Sequence, residues 1–321
     1  MALVDVNPMG KVVDVKSLGR TALTLAAFQK CVGGLELIED RGREIDVRVV
    51  GQEFNLRVER VMGGNQWNVL NNLRVLNEAG FPSLEVEAHF GLGTEEAVAR
   101  KSLYLPGCSK IDLETPEGPG QVIFDKRLKE KNIVISSAPH GESGQAWWRA
   151  WERFLLEDKS CSYYWNPARK QLDGGVPGEV RRRLHGRVAI FQVNEREAQQ
   201  YLNAYASGAQ LKDLPEVVGA EWTVITRAEK GMRLYAGGEV YEEEVISPGV
   251  AKEILGAQFL EKQDVGCGDA GFAAFIAAKE GGRAMSPQEA LRMASNVSGI
   301  QYNHAGSNLR SLRGVDLSSI V

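Results

Sequence analysis

Residues 263–282 read QDVGCGDAGFAAFIAAKEGG, and both the fold and the chemistry turn on them. A glycine-rich turn, Gly266-Cys267-Gly268, is followed at once by an acid, Asp269. Residues 270–279 are mostly small or apolar and predict a helix. A helix start gathers backbone N–H groups that the helix itself does not use, and its dipole adds partial positive charge there. The stretch therefore predicts an anion site. Asp269 either favours the first helical turn electrostatically, as a cap without chemistry, or serves as a base beside a bound phosphate. Gly266, Gly268 and Gly271 also spell GxGxxG, a dinucleotide-binding pattern. That alternative wants a strand just before the glycines and a βαβ unit around them. Residues 261–264 are polar and little of the chain follows, so the pattern stands without its usual context.

Bulk properties narrow the field. The 321 residues are 43% hydrophobic, enough for a full core in one large α/β domain. The formal net charge is −4, which implies no broad basic face and so no nucleic-acid partner. Cys31, Cys108, Cys161 and Cys267 lie far apart without a CxxC pair, which argues against a zinc site or a disulfide framework. That usage fits a reducing, cytoplasmic setting. No apolar run approaches membrane-spanning length, so no membrane partner is expected. Residues 21–28 are apolar, but the run is short, begins late and lacks a small-x-small cleavage site. They read as the first buried strand.

Upstream of them, residues 1–20 read as a loose arm or an extra edge element. Residues 45–50 and 55–62 alternate apolar and polar, as half-buried antiparallel strands do, and predict a small lid. Residues 121–125 are expected to add a strand to it. Gly63 and Gly64 precede a helical pattern carrying Val69, Leu70, Leu73, Leu76 and Ala79. Residues 84–89, 133–136, 162–165, 187–193 and 222–226 read as strands, and 95–103, 146–156 and 287–299 as helices. Residues 106–120, with three prolines, read as loop-rich. Gly237-Gly238 between two apolar runs marks a two-residue hairpin. Asn194 at a strand end predicts a helix N-cap, with Glu197 completing a capping box. The four histidines are scattered without metal-ligand spacing and are expected at the surface.

The order of these motifs resembles the ribokinase-like (PfkB) kinases. Gly266-Cys267-Gly268-Asp269 is similar to that family's GAGD signature, with Cys267 for the usual Ala. Gly63-Gly64 with Asn68 resembles its glycine pair opening a helix, and Asn194 with Glu197 resembles its NxxE motif. Thr226 and Gly231 resemble its T-x-G-x-x-G, short of one glycine, and the usual Asp-Thr before the signature is absent. The resemblance covers roughly residues 21–310. It implies an α/β fold, a doubly wound, mostly parallel sheet with a β-strand lid, in a single domain spanning 1–321. It also implies phosphoryl transfer from ATP or ADP to a hydroxyl of a small polyol, sugar or nucleoside. Asp269 is then the base, and the Gly266, Cys267 and Gly268 turn is the anion hole. Asn194 and Glu197 place Mg²⁺ through water. Thr226, Gly231, Asn296, His304 and Gly306 line the nucleotide, and Gly63, Gly64, Asn65, Asn68 and Asn166 line the acceptor. The lid of many such kinases forms a dimer contact, which implies a homodimer. No Walker A sequence is present, which excludes the P-loop class. The family's substrate-gripping Asp has no counterpart in residues 27–33, so Glu39 and Asp40 stand as candidates for its work. A chain of this fold lacking that acid is alternatively a catalytically weak metabolite-binding protein.

Overall fold

The chain opens with an antiparallel sheet. Strands β1 (Leu3–Met9), β2 (Glu36–Asp40), β3 (Glu44–Val49) and β4 (Gln52–Gly63) lie in the order β1-β4-β3-β2. The predicted lid ribbon is β3 and β4, with Val47 opposite Phe54 and Ile45 opposite Leu56. Residues 3–9 form an edge strand of the same sheet, with Val4 opposite Met62. In the computed structural model the described residues are 3–9, 36–40, 44–49, 52–63, 65–78, 88–91, 111–114, 132–135, 162–167, 172, 175–259, 266–281 and 285–304. The expected strands at 21–28 and 121–125 and the helices at 95–103 and 146–156 lie outside them.

Helix α1 (Asn65–Glu78) follows β4 and buries Val69, Leu73 and Leu76, the positions its spacing predicts. Asn68, Asn71 and Asn72 are buried on it as well. Strands β5 (Ala88–Gly91) and β6 (Ile111–Glu114) then pair in parallel. β6 is a short strand within the loop-rich stretch 106–120. The alternation Ile111-Asp112-Leu113-Glu114 suits a strand, and the prolines at 106, 116 and 119 only bracket it.

The main sheet has six strands, β7 (Asn132–Ile135), β8 (Ser162–Trp165), β9 (Val188–Asn194), β10 (Ala220–Thr226), β11 (Met232–Ala236) and β12 (Glu239–Glu243). They lie in chain order. β7 to β10 are parallel, and β11 and β12 continue antiparallel. Gly237 and Gly238 join the last two with φ of 60° and 83°, a turn that only residues tolerant of positive φ make cheaply. Parallel strands buried on both faces need near-continuous apolar sequence, and Val188-Ala189-Ile190-Phe191 supplies it.

Helices cover both faces. α2 (Gly178–Leu184), α3 (Glu195–Tyr205) and α4 (Leu214–Val218) bury Val180, Leu202 and Leu214 against Trp165, Phe191 and Ile225. The other face holds α5 (Pro248–Leu255), α6 (Cys267–Glu280) and α7 (Pro287–Tyr302), and α6 packs against both α7 and α1. Every residue of α6 from Asp269 to Ala278 is buried. A helix apolar all round belongs inside, and its small residues let neighbours close on it. A Cβ on Gly271 would stand 2.7 Å from Met232 Cε. Tyr164 on β8 donates its hydroxyl to Glu280 at the far end of α6. Burial first, then that carboxylate, raises the phenol pKa. α6 is thereby held at its C-terminal end.

Candidate active site

The turn before α6 is built on one backbone conformation. Gly266 is the N-cap, with φ 78° and ψ 0°. This left-handed region costs an L side chain about 1–2 kcal/mol. A glycine cap has no side chain with which to occupy the helix start. The first intrahelical bond runs from Ala270 N–H to Gly266 O at 2.9 Å. Three bonds then tie the turn to separate elements. Ser298 of α7 donates its hydroxyl to Cys267 O at 2.9 Å. Gln192 of β9 donates Nε2 to Gly268 O at 2.7 Å. Asn68 of α1 donates Nδ2 to Asp269 Oδ2 at 3.0 Å.

The last contact joins two residues 201 positions apart in the chain, one from the Gly63-Gly64 motif and one from the Gly266–Asp269 signature. Asp269 is only 8% exposed and Asn68 4%. A buried carboxylate needs hydrogen-bond donors, and Asn68 supplies one in fixed geometry. Because a carboxylate only accepts, the amide nitrogen must be the atom that faces it. The acid is thus oriented at the first turn of a helix, beside the backbone of a glycine turn.

Asn194 and Glu197 start α3 at the end of β9. Glu197 N–H donates to Asn194 Oδ1 at 2.9 Å, and Asn194 N–H donates to Glu197 Oε2 at 3.0 Å. This reciprocal pair is the predicted capping box. Thr226 is the parallel neighbour of Asn194 on β10, so the strand ends align. Gly231 has φ 80° and lies against the backbone of Glu243, where a Cβ would overlap the chain. Its place is fixed by the β10–β11 turn, closed by Arg227 N–H to Gly231 O at 2.8 Å.

The remaining predicted residues are spread more widely. Gly63 ends β4, Asn65 opens α1, Asn166 is buried just past β8, and Asn296 is half-buried on α7. Gly64 and Gly306 lie outside the described residues. Glu39 and Asp40 end the edge strand β2, with Glu39 exposed. His304 corrects the expectation of a surface histidine. It is 1% exposed, its backbone bridges to Phe259, and burial pushes its pKa down to about 4. The fold therefore holds this ring neutral at physiological pH.

The oxygen-bearing set at Asn194 and Glu197 suits a hard cation such as Mg²⁺, which takes one or two carboxylates and keeps several waters. Among the described residues no three His, Cys, Asp or Glu side chains cluster tightly enough to hold a metal alone. Nor is any helix there long and apolar enough to cross a membrane. Two residues at the turn escape a motif reading, Gln192 and Ser298. The available signal for Gln192 is a polar residue inside an apolar strand, VAIFQVN.

No family model matches the sequence, and no curated protein matches it. The fold does match solved structures. A nucleoside kinase from Burkholderia thailandensis, solved with inosine, is 15% identical over 84% of this chain and 87% of its own, with a TM-score of 0.58. A ribokinase from Thermotoga maritima is 12% identical over 84% and 89%, with a TM-score of 0.56. A putative ribokinase II from E. coli, solved with ATP and Mg²⁺, is 16% identical over 89% and 92%, with a TM-score of 0.54. At such identities the likeness is one of fold.

Proposed function

Because the chain has the ribokinase-like fold, we propose that it is a small-molecule kinase, transferring a phosphoryl group from ATP or ADP to a hydroxyl of a polyol, sugar or nucleoside. The observation that carries this reading is the contact of Asn68 with Asp269 at the glycine turn. It gives the turn an oriented carboxylate, which a plain anion site does not need. A kinase does need it: an alcohol is a poor nucleophile until its proton has somewhere to go.

In this reading the acceptor hydroxyl gives its proton to Asp269. Asn68 keeps the carboxylate aimed. The backbone of Gly266, Cys267 and Gly268 faces the transferred phosphate, with the dipole of α6 behind it. Mg²⁺, placed through Asn194 and Glu197, supplies neutralisation of phosphate charge. The dinucleotide alternative has less support. α6 leads into α7 among the described residues, whereas that motif wants a strand after its helix.

The test is a screen of ATP and ADP against polyols, sugars and nucleosides, read by the nucleotide product and the phosphorylated acceptor together. Product with one acceptor class is the expected result. Because residues 27–33 hold no acid to grip substrate hydroxyls, ribose and ordinary hexoses are expected to be poor acceptors. A screen with no product from any pair, using protein that binds nucleotide, would replace the kinase with a binding protein.

A further inference from the structure

Gln192 lies on β9, faces α6 and is 2% exposed. Its Nε2 is committed to Gly268 O at 2.7 Å, and a carbonyl can only accept. The amide's orientation is therefore fixed, with Oε1 as the acceptor. Among the described residues nothing donates to Oε1, although it is fully buried. A buried acceptor left without a donor is costly, and native structures rarely leave one unless something else binds there. Two residues on, on the same face of the strand, stands Asn194, about 6–7 Å away at the usual strand rise. Gln192 thus sits between the glycine turn and the start of α3.

The chemistry of the missing partner can be narrowed by counting donors. Phosphate oxygens near neutral pH only accept, so a nucleotide's phosphates do not satisfy Oε1. The reacting hydroxyl has one proton, which the proposed reaction gives to Asp269; the acceptor's other hydroxyls are the rival donors, and the acceptor KM in the test below separates them from the cation's waters. Waters bound to a divalent cation present only donors, and Mg²⁺ keeps several of them.

We propose that Gln192 is a positioning residue whose Oε1 accepts a hydrogen bond from a water on the divalent cation, while its Nε2 holds the turn at Gly268. This rests on the kinase reading above. It makes one amide the link between the cation at Asn194 and Glu197 and the anion site at Gly266–Asp269. A polar residue in an apolar strand then has a function that its packing alone does not supply.

The probe is ADP with MgCl₂, read as the thermal midpoint of the full-length protein across a magnesium titration at fixed ADP. Gln192→Met keeps volume and removes both amide groups. Gly268 O lies inside α6 and keeps its helical partner, so the unliganded variant is expected to be as stable as wild type or more so. Its magnesium midpoint is expected to rise about 10- to 100-fold, the usual cost of losing an outer-shell partner of a metal. Gln192→Glu replaces the donor to Gly268 O only in its protonated form, which a buried site facing a carbonyl favours; that form keeps one donor and one acceptor, and its midpoint is expected near that of wild type. A Met titration that superimposes on wild type overturns the proposal, as does a raised midpoint in Gln192→Glu. A shift confined to the acceptor's KM, with magnesium unaffected, also overturns it. Wild type showing no stabilisation by ADP and magnesium at all would sink the kinase reading, and this proposal with it.

Discussion

Two helix starts lie beside β9, and they are finished in opposite ways. α3 begins with Asn194 and Glu197 exchanging hydrogen bonds, so its first turn is closed by its own side chains. α6 begins at Gly266, which has no side chain to offer, in a left-handed conformation. α5 and α7 follow the pattern of α3, starting at Ser247 and Ser286 with hydroxyls that accept from the third helical residue. The sequence can cap a helix with an oxygen and does so repeatedly. At α6 it places a glycine instead and brings in Ser298, Gln192 and Asn68 to hold the turn from outside. A start finished from within is built for stability. The one shaped from outside is the start proposed above to meet the phosphate.

The sharpest way to break this contrast is at Asp269. Asp269→Asn keeps the shape and removes the basic oxygen, and turnover is expected to fall about 10²- to 10⁴-fold. Nucleotide affinity, measured by calorimetry, should stay near wild type because the anion site is backbone. Wild-type turnover in this variant would make Asp269 only an acidic cap. Next comes Asn68→Leu, which leaves the acid in place without its orienting donor. A misaimed reacting group costs on the order of 10²-fold, so kcat should drop while the nucleotide dissociation constant holds. An unchanged kcat would show that Asn68 supports packing alone.

Smaller effects separate the two helix starts directly. Gly266→Ala forces a side chain into the left-handed region and should cost about 1–2 kcal/mol of stability. It should also weaken nucleotide binding, because the turn must shift. Asn194→Ala loses a cap and should cost about 1 kcal/mol. Denaturant titration with and without nucleotide distinguishes the pair, since α6 is expected to be the more ligand-sensitive start. Glu197→Gln preserves a capping box, so the fold should be intact and only the magnesium requirement should rise. A magnesium titration identical to wild type would reduce Asn194 and Glu197 to a cap.

Local features were legible in the sequence. The Asn194–Glu197 box spans a single helical turn, and Gly237-Gly238 announces a hairpin by composition. α6 was legible because small apolar residues crowd after a glycine turn. Features assembled across the chain were harder. Asn68 and Asp269 are brought together only by the packing of α1 on α6, and the family resemblance was the sole pointer to it. α7 runs on to Tyr302 past the expected end at 299, since Gly299 is not a stop but the place where Ile246 closes on the helix. That extension carries His304 inside, which no periodic pattern signals. Gln192 was hidden for another reason. A strand with one polar residue reads as half-exposed, and only the bond to Gly268 shows the residue to be buried with a purpose.

Hydrogen exchange resolved to single amides tests the contrast most directly. The full-length protein is compared alone and with Mg²⁺ and a non-hydrolysable ATP analogue. Slowed exchange at residues 267–269, with the amides of 195–197 little changed, is the expected result. Protection at 195–197 alone, or none at either start, would contradict the assignment of the Gly266–Asp269 turn as the phosphate site.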